Sequence, residues 1–414
     1  MIRPTARRLS ALAAVGTLLL GVAACGDDTK TSGSSGGDTS TQNALVRKKA
    51  ELMPLMAKKV GKGEGAISIL AWPGYAESGK NDPNVDWVSD FEASTGCKAD
   101  IKEFPTSDEA INLIDQGGWD VVSASGDATL RLIAAGKVVP VNTALVPNYQ
   151  DVFPYLKNQP WNSVDGQMFG IPHGWGANLL QYRTDIVTTP PDSWGAVFDP
   201  KSPYKGKITA YDSPIYIADA ALYLMSTKPE LNIKDPYALD DKQFAAAVAL
   251  LKEQKPLIGE YWSDYLKQEE AFTNGSLVLG TSWQVIANTL EAADPPVPVK
   301  TVEPKEGSTG WSDTWMVTKD AKHPNCAYKW LDWIISPDAN AQVAEWFGEA
   351  PANAKACEVT TNPDHCTTFH ATDEAYAKSI HYWNTPTSDC LDGRTDVKCK
   401  TYNDWAQAWD EIRG

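Results

Sequence analysis

The groups in this chain best suited to chemistry are aromatic rings and carboxylates standing just past short apolar runs. Trp72 and Tyr75 follow Ile67-Ser68-Ile69-Leu70-Ala71, and Ser125, Gly126 and Asp127 follow Asp120-Val121-Val122-Ser123. Asp212 closes the run that starts at Lys207, and Trp283 follows Leu277-Val278-Leu279-Gly280. Trp311 precedes Asp313 by two residues. Aromatic faces attract ammonium and cover methylene chains, while carboxylates hold the charged ends through charge-assisted hydrogen bonds. Such a mixture suits a diamine or polyamine. Each residue taken alone reads equally well as a packed ring or a cap, Asp127 at the start of its helix above all.

Signals for catalysis are missing by comparison. The string nearest a nucleophile elbow, Gly280-Thr281-Ser282-Trp283-Gln284, lacks the final glycine. No P-loop, GxGxxG or HExxH is present. Five histidines (His173, His323, His365, His370, His381) are scattered along the chain. His173, between Pro172 and Gly174, is the one candidate base for a competing reading as a lipid-tethered hydrolase of amides or esters. The expectation is a binding protein without a cofactor rather than an enzyme.

Elements that position these groups alternate from Ala66 onward. Residues 67–72, 99–104 and 120–123 read as strands. Helices are expected through Val85, Trp87, Val88 and Phe91, from a capping box at Thr106-Ser107-Asp108-Glu109 to Gly117-Gly118, and through Leu130 to Gly136. The rhythm restarts after Gly176, with strands at 178–182 and 207–211 and helices at 217–225 and 243–252. Two α/β units of similar size predict two lobes, each a mostly parallel sheet flanked by helices, with ligand bound beyond the strand ends in the groove between them. The expected lobes are 66–176 with 312–357 and 177–311 with 358–414.

The N-terminus sets the compartment. Arg3, Arg7 and Arg8 precede an apolar run from Leu9 to Ala24 that is short for a membrane span, and Cys25 follows Val22-Ala23-Ala24. This reads as a lipoprotein signal peptide over 1–24, with lipid on Cys25 tethering an exported domain to the cell membrane. An ordinary secretory signal with Cys25 incidental is the alternative. Residues 25–43, rich in Gly, Ser, Thr and Asp, are the tether, and 44–65 hold an N-terminal helix running from Ala44 to Lys59. Without the first 24 residues, 34 basic face 53 acidic side chains, a net charge of −19 that repels nucleic acid and attracts cations. A monomer is expected.

Six cysteines remain after Cys25, and export favours disulfides. Spacing selects the short loops Cys357–Cys366 and Cys390–Cys399, which leaves Cys97 with Cys326. Metal is the competing idea, since Asp364-His365-Cys366 and His370 lie close together. No CxxC occurs, however, and oxidation removes thiolates, so no metal is expected.

The chain resembles the spermidine/putrescine-binding proteins of ABC importers over about residues 66 to 357. Carrying the likeness are Ala71-Trp72-Pro73-Gly74-Tyr75, Asp120-Val121-Val122 with Ser125, and Asp192-Ser193-Trp194 ahead of Tyr204-Lys205-Gly206-Lys207. Pro304-Lys305-Glu306-Gly307 before Trp311-Ser312-Asp313, and Ala344-Glu345-Trp346-Phe347-Gly348 before Pro351, complete it. The resemblance implies a cleft that closes on an amine by hinge motion and hands it to a permease driven by its ATPase. It places Trp72 and Tyr75 against the ligand chain, Ser125 as a polar contact, and Asp212 on an ammonium from the second lobe. Trp283 and Trp311 wall the groove, and Asp313 holds the deepest amine. The chain departs from the family pattern in four places. Asp127 replaces a tyrosine, Ile215 an acid, and Glu349 an aromatic, while Trp383-Asn384 stands at a Trp-Gln site. A zwitterion such as 4-aminobutyrate is therefore the alternative ligand.

Overall fold

A computed structural model describes residues 41–80 and 82–414; the signal segment, Cys25 and most of the expected tether lie outside them. A helix spans Thr41–Leu52, beginning inside the expected tether. It stops short of Lys59 because Pro54 cannot continue it, and a 3-10 turn over Met53–Leu55 follows. Among the described residues no helix is long and apolar enough to cross a membrane.

Twelve strands of the described chain form two main sheets. They are β1 (Ala66–Ala71), β2 (Lys98–Glu103), β3 (Val121–Ala124), β4 (Ile171–Ala177), β5 (Leu179–Arg183) and β6 (Ile208–Tyr211). The others are β7 (Ile258–Trp262), β8 (Leu279–Ser282), β9 (Val299–Val302), β10 (Thr309–Val317), β11 (Ala350–Pro351) and β12 (His381–Tyr382). The first sheet runs β11-β4-β10-β3-β1-β2, with β12 also on β10; the second runs β9-β5-β8-β6-β7. Ile69, Leu70, Val121 and Val122 at the centre of the first sheet are fully buried, as a sheet covered on both faces requires. Edge strand β2 instead exposes Lys98 and Lys102, which discourages pairing with another chain.

Both sheets are mixed, which corrects the expectation of mostly parallel ones. β1 pairs parallel with β2 and β3, but β10 runs antiparallel to β3 and β4. In the second sheet β5 is antiparallel to both β8 and β9. The cause is the crossing between sheets: the chain passes directly from β4 into β5 and later returns through β10, so these long strands run against the βαβ direction. β10 begins at Thr309, and β12 also joins the first sheet, while the final helix Tyr402–Arg413 packs against helix Asp241–Gln254 of the other unit. The crossings are pinned together where Asn178 donates through its backbone N–H and its Nδ2 to Thr309 O and Oγ1, both at 2.8 Å.

Disulfides join Cys97 to Cys326, Cys357 to Cys366 and Cys390 to Cys399. Cys366 therefore offers no thiolate to a metal.

Candidate functional site

Loops leaving the strand ends build one cavity of about 650 Å³ between the sheets. Trp72, just past β1, donates its backbone N–H to Ser123 Oγ at 2.9 Å, which fixes the loop over β3. The chain then turns at Gly74, whose φ of +87° suits glycine, and the Phe347 ring lies where a Cβ would project. Tyr75 is thereby turned inward. Ser125 precedes the helix Gly126–Ala134, makes no side-chain cap bond, and lines the cavity beside Asp313.

Trp311 and Asp313 alternate along β10 and so share one face. Opposite them on β4 stand Gly176 and Gly174. Glycine is needed at both. A Cβ on Gly176 would meet the Trp311 indole at 2.6 Å, and one on Gly174 would strike the Glu349 carboxyl. Gly174→Ala is accordingly expected to cost about 1–3 kcal/mol in thermal denaturation, since neither backbone nor sealed carboxyl can retreat. An unchanged midpoint would show that the packing yields.

Six of the nine expected ligand residues line the cavity: Trp72, Tyr75, Ser125, Trp283, Trp311 and Asp313. Trp72 and Trp283, from loops of opposite sheets, meet edge to face with centroids 6.3 Å apart. Trp311 meets Phe347 in the same manner at 5.5 Å. Asp313 is buried, with Oδ2 accepting from the Tyr75 hydroxyl at 3.1 Å and Oδ1 unpartnered. Burial, reinforced by the charge of Glu349, pushes its carboxyl up to about 7.

The other three stand outside the cavity lining. Asp127 is sealed behind Ser125, its Oδ1 accepting from Ser107 Oγ at 2.9 Å; burial raises its carboxyl to about 6, eased by Arg131. Asp212 faces the C-terminal helix, where it pairs with the Arg413 guanidinium and accepts from Trp409 Nε1 at 3.1 Å. A cation of the chain itself occupies that carboxylate. Glu349 lies behind Tyr75, where Gly348 in the left-handed region (φ +73°) swings the chain inward from helix Pro337–Phe347. Its Oε2 is 3.4 Å from the Tyr75 hydroxyl and its Oε1 is 3.2 Å from His173 Nε2, a close contact but misdirected for a hydrogen bond. Ile215 is fully buried core.

His173 is enclosed as well. Its Nδ1 accepts from Trp315 Nε1 at 3.0 Å, an environment of indole and carboxyl with no serine hydroxyl bonded to it among the described residues. Sequence reading overlooked Phe104 and the mouth groups Glu103, Asp264 and Lys267 as cavity lining. Phe104 was within reach of the rule that found Trp72, since it directly follows β2. The mouth residues have no such signal, because nothing local says that helix Tyr265–Asn274 begins above the groove.

Two mixed sheets joined by adjacent crossings, with an aromatic and acidic cavity at the strand ends, define a cleft-type solute-binding protein. The chain belongs to the bacterial extracellular solute-binding protein family, which matches residues 86–367. It is 26% identical over 284 residues to the putrescine-binding periplasmic protein SpuD of Pseudomonas aeruginosa, covering 66% of this chain and 76% of that one. Against the putrescine-binding periplasmic protein PotF of Escherichia coli it is 26% identical over 333 residues, with 75% and 86% covered. In fold it is similar to a putative spermidine/putrescine ABC transporter structure from Listeria monocytogenes, with TM-score 0.69, 19% identity, and 84% and 99% covered.

Proposed function

We propose that this protein captures a small cationic amine, of the putrescine or spermidine kind, in the cavity and delivers it to the permease of an ABC importer. One observation carries the reading: Asp313 presents a buried, unpartnered carboxylate oxygen to a cavity walled by Trp72, Trp283 and Trp311. An ammonium supplies the missing hydrogen bond and charge together, and the rings cover the hydrocarbon. The names of SpuD and PotF support the same ligand class. In this reading Trp72, Tyr75 and Ser125 come from the first lobe, Trp283 from the second, and lipid on Cys25 keeps the receptor beside its permease.

A zwitterion such as 4-aminobutyrate is the second reading, favoured by Lys267 at the cavity mouth, where a carboxylate would find a cation. Calorimetric titration with putrescine, spermidine and 4-aminobutyrate separates the two. Saturable heats with the diamine or triamine are expected. Binding of 4-aminobutyrate alone would select the second reading, and binding only of an anion lacking an amine would end both.

A further inference from the structure

We propose that Glu349 is a positioning residue that shares one stored proton with Asp313 across the Tyr75 hydroxyl, and that an arriving ammonium group expels this proton to solvent. The inference rests on the amine reading and adds a mechanism to it. Two carboxyls flank one hydroxyl, Asp313 Oδ2 at 3.1 Å and Glu349 Oε2 at 3.4 Å. A tyrosine has a single hydrogen to give, and it cannot serve both as anions. One added proton completes a directed chain: Glu349 Oε2–H donates to Tyr75 Oη, and Tyr75 O–H donates to Asp313 Oδ2. Asp313 is left as the anion facing the cavity, with Oδ1 free for the guest.

No cation in the surroundings replaces that proton. His173 faces Glu349 from β4, but its Nδ1 accepts the Trp315 indole N–H and so bears no hydrogen; a second ring proton would break that bond. From the following helix, His365 reaches only the backbone oxygen of Glu349, at 2.8 Å, and burial lowers its basicity. Ser125, just ahead of helix Gly126–Ala134, and Asp127, in its first turn, lie near Asp313, the latter adding negative charge. Tyr211, from the end of β6, feels the charge of Asp313 and is itself held neutral by burial. Among the described residues no lysine or arginine pairs with Asp313 or Glu349. Burial raises both carboxyls, opposed at Glu349 by the neighbouring His173, whose ring hydrogen is on the Nε2 side, and two like charges around one hydroxyl titrate as a pair.

When the ammonium docks on Asp313 Oδ1, its charge stabilises the doubly ionised pair. The Glu349 proton then passes to the buffer, and the Tyr75 hydrogen remains between the two carboxylates. Charge balances, with one cation gained and one proton released.

The test is calorimetry of the native protein with putrescine in two buffers of different ionisation heat, over roughly pH 5.5 to 8. Below the titration of the pair, release approaches one proton per ligand and Kd rises about tenfold for each pH unit lost. Glu349→Gln keeps the bulk and hydrogen bonding of the side chain; burial still raises Asp313 there, so the variant is expected to bind with a smaller buffer dependence of the heat and a shallower pH profile than the native protein. Tyr75→Phe, which cuts the chain, should flatten the profile likewise, so the test survives if one variant fails to fold. Putrescine binding with equal heats in both buffers overturns this proposal and leaves the amine reading standing. Proton release in Glu349→Gln equal to that of the native protein also overturns it. Absence of binding by any amine overturns both.

Discussion

Asp313→Asn is expected to weaken amine binding roughly a hundredfold, about 3 kcal/mol. The loss exceeds that of one neutral hydrogen bond because the ammonium would enter a desolvated cavity without an anion to meet it. Asn preserves the volume, and its amide oxygen can still accept from Tyr75, so packing is left nearly as it was. A fold control accompanies the measurement. Coupled to Glu349, the Asp313 site keeps its proton up to about 7 when folded, against near 3.9 for an aspartate in an open chain. The folded protein therefore holds this proton more tightly, and ionising the group costs stability. That cost is absent below about pH 4, grows up to about pH 7 and is full above it. Asp313→Asn removes the cost and should melt no lower than the native protein at pH 8. A Kd within threefold of native would remove Asp313 from the centre of the site.

Loss of the Cys97–Cys326 link is the second large effect expected. It closes a sequence separation of 229, against 9 for each of the other two disulfides. Chain-entropy reasoning assigns the long loop about 5 kcal/mol and each short loop about 2.5 kcal/mol. The bond ties the start of β2 to helix Pro324–Ile334, two segments that enter the first sheet region from distant parts of the chain. Both sulfurs press on Gly63, where a Cβ would lie 2.6 and 2.9 Å from them. Cys97→Ser with Cys326→Ser should lower the urea midpoint well beyond Cys390→Ser with Cys399→Ser, whose bridge sits in a small satellite cluster with Ala238. Equal midpoints for the two double variants would contradict the loop-length argument.

Local sequence could bring Trp72, Tyr75, Ser125, Trp283, Trp311 and Asp313 to the cavity lining because each stands at or beside a strand end, or alternates along a strand. Period and punctuation carry that information over a few residues. The same logic paired the cysteines, since short loops close readily. It failed where the deciding partner lies far along the chain. Asp212 looked free until the C-terminal helix brought Arg413 and Trp409 to it, 201 and 197 positions away. Asp127 looked like a ligand group or a cap, yet its partner is Ser107 in the preceding helix.

What the sequence determined by itself, then, was the supply of chemistry: rings and acids at the ends of buried strands, an exported and disulfide-bonded frame, and α/β alternation. Only the tertiary structure decided which acids line the cavity and which are paired within the protein. Charge in a dry interior is governed by whichever opposite charge or hydrogen-bond donor stands within a few ångströms. For Glu349 that neighbourhood is set by the absence of a side chain at Gly174 and by a tyrosine that arrives from the other end of the sheet.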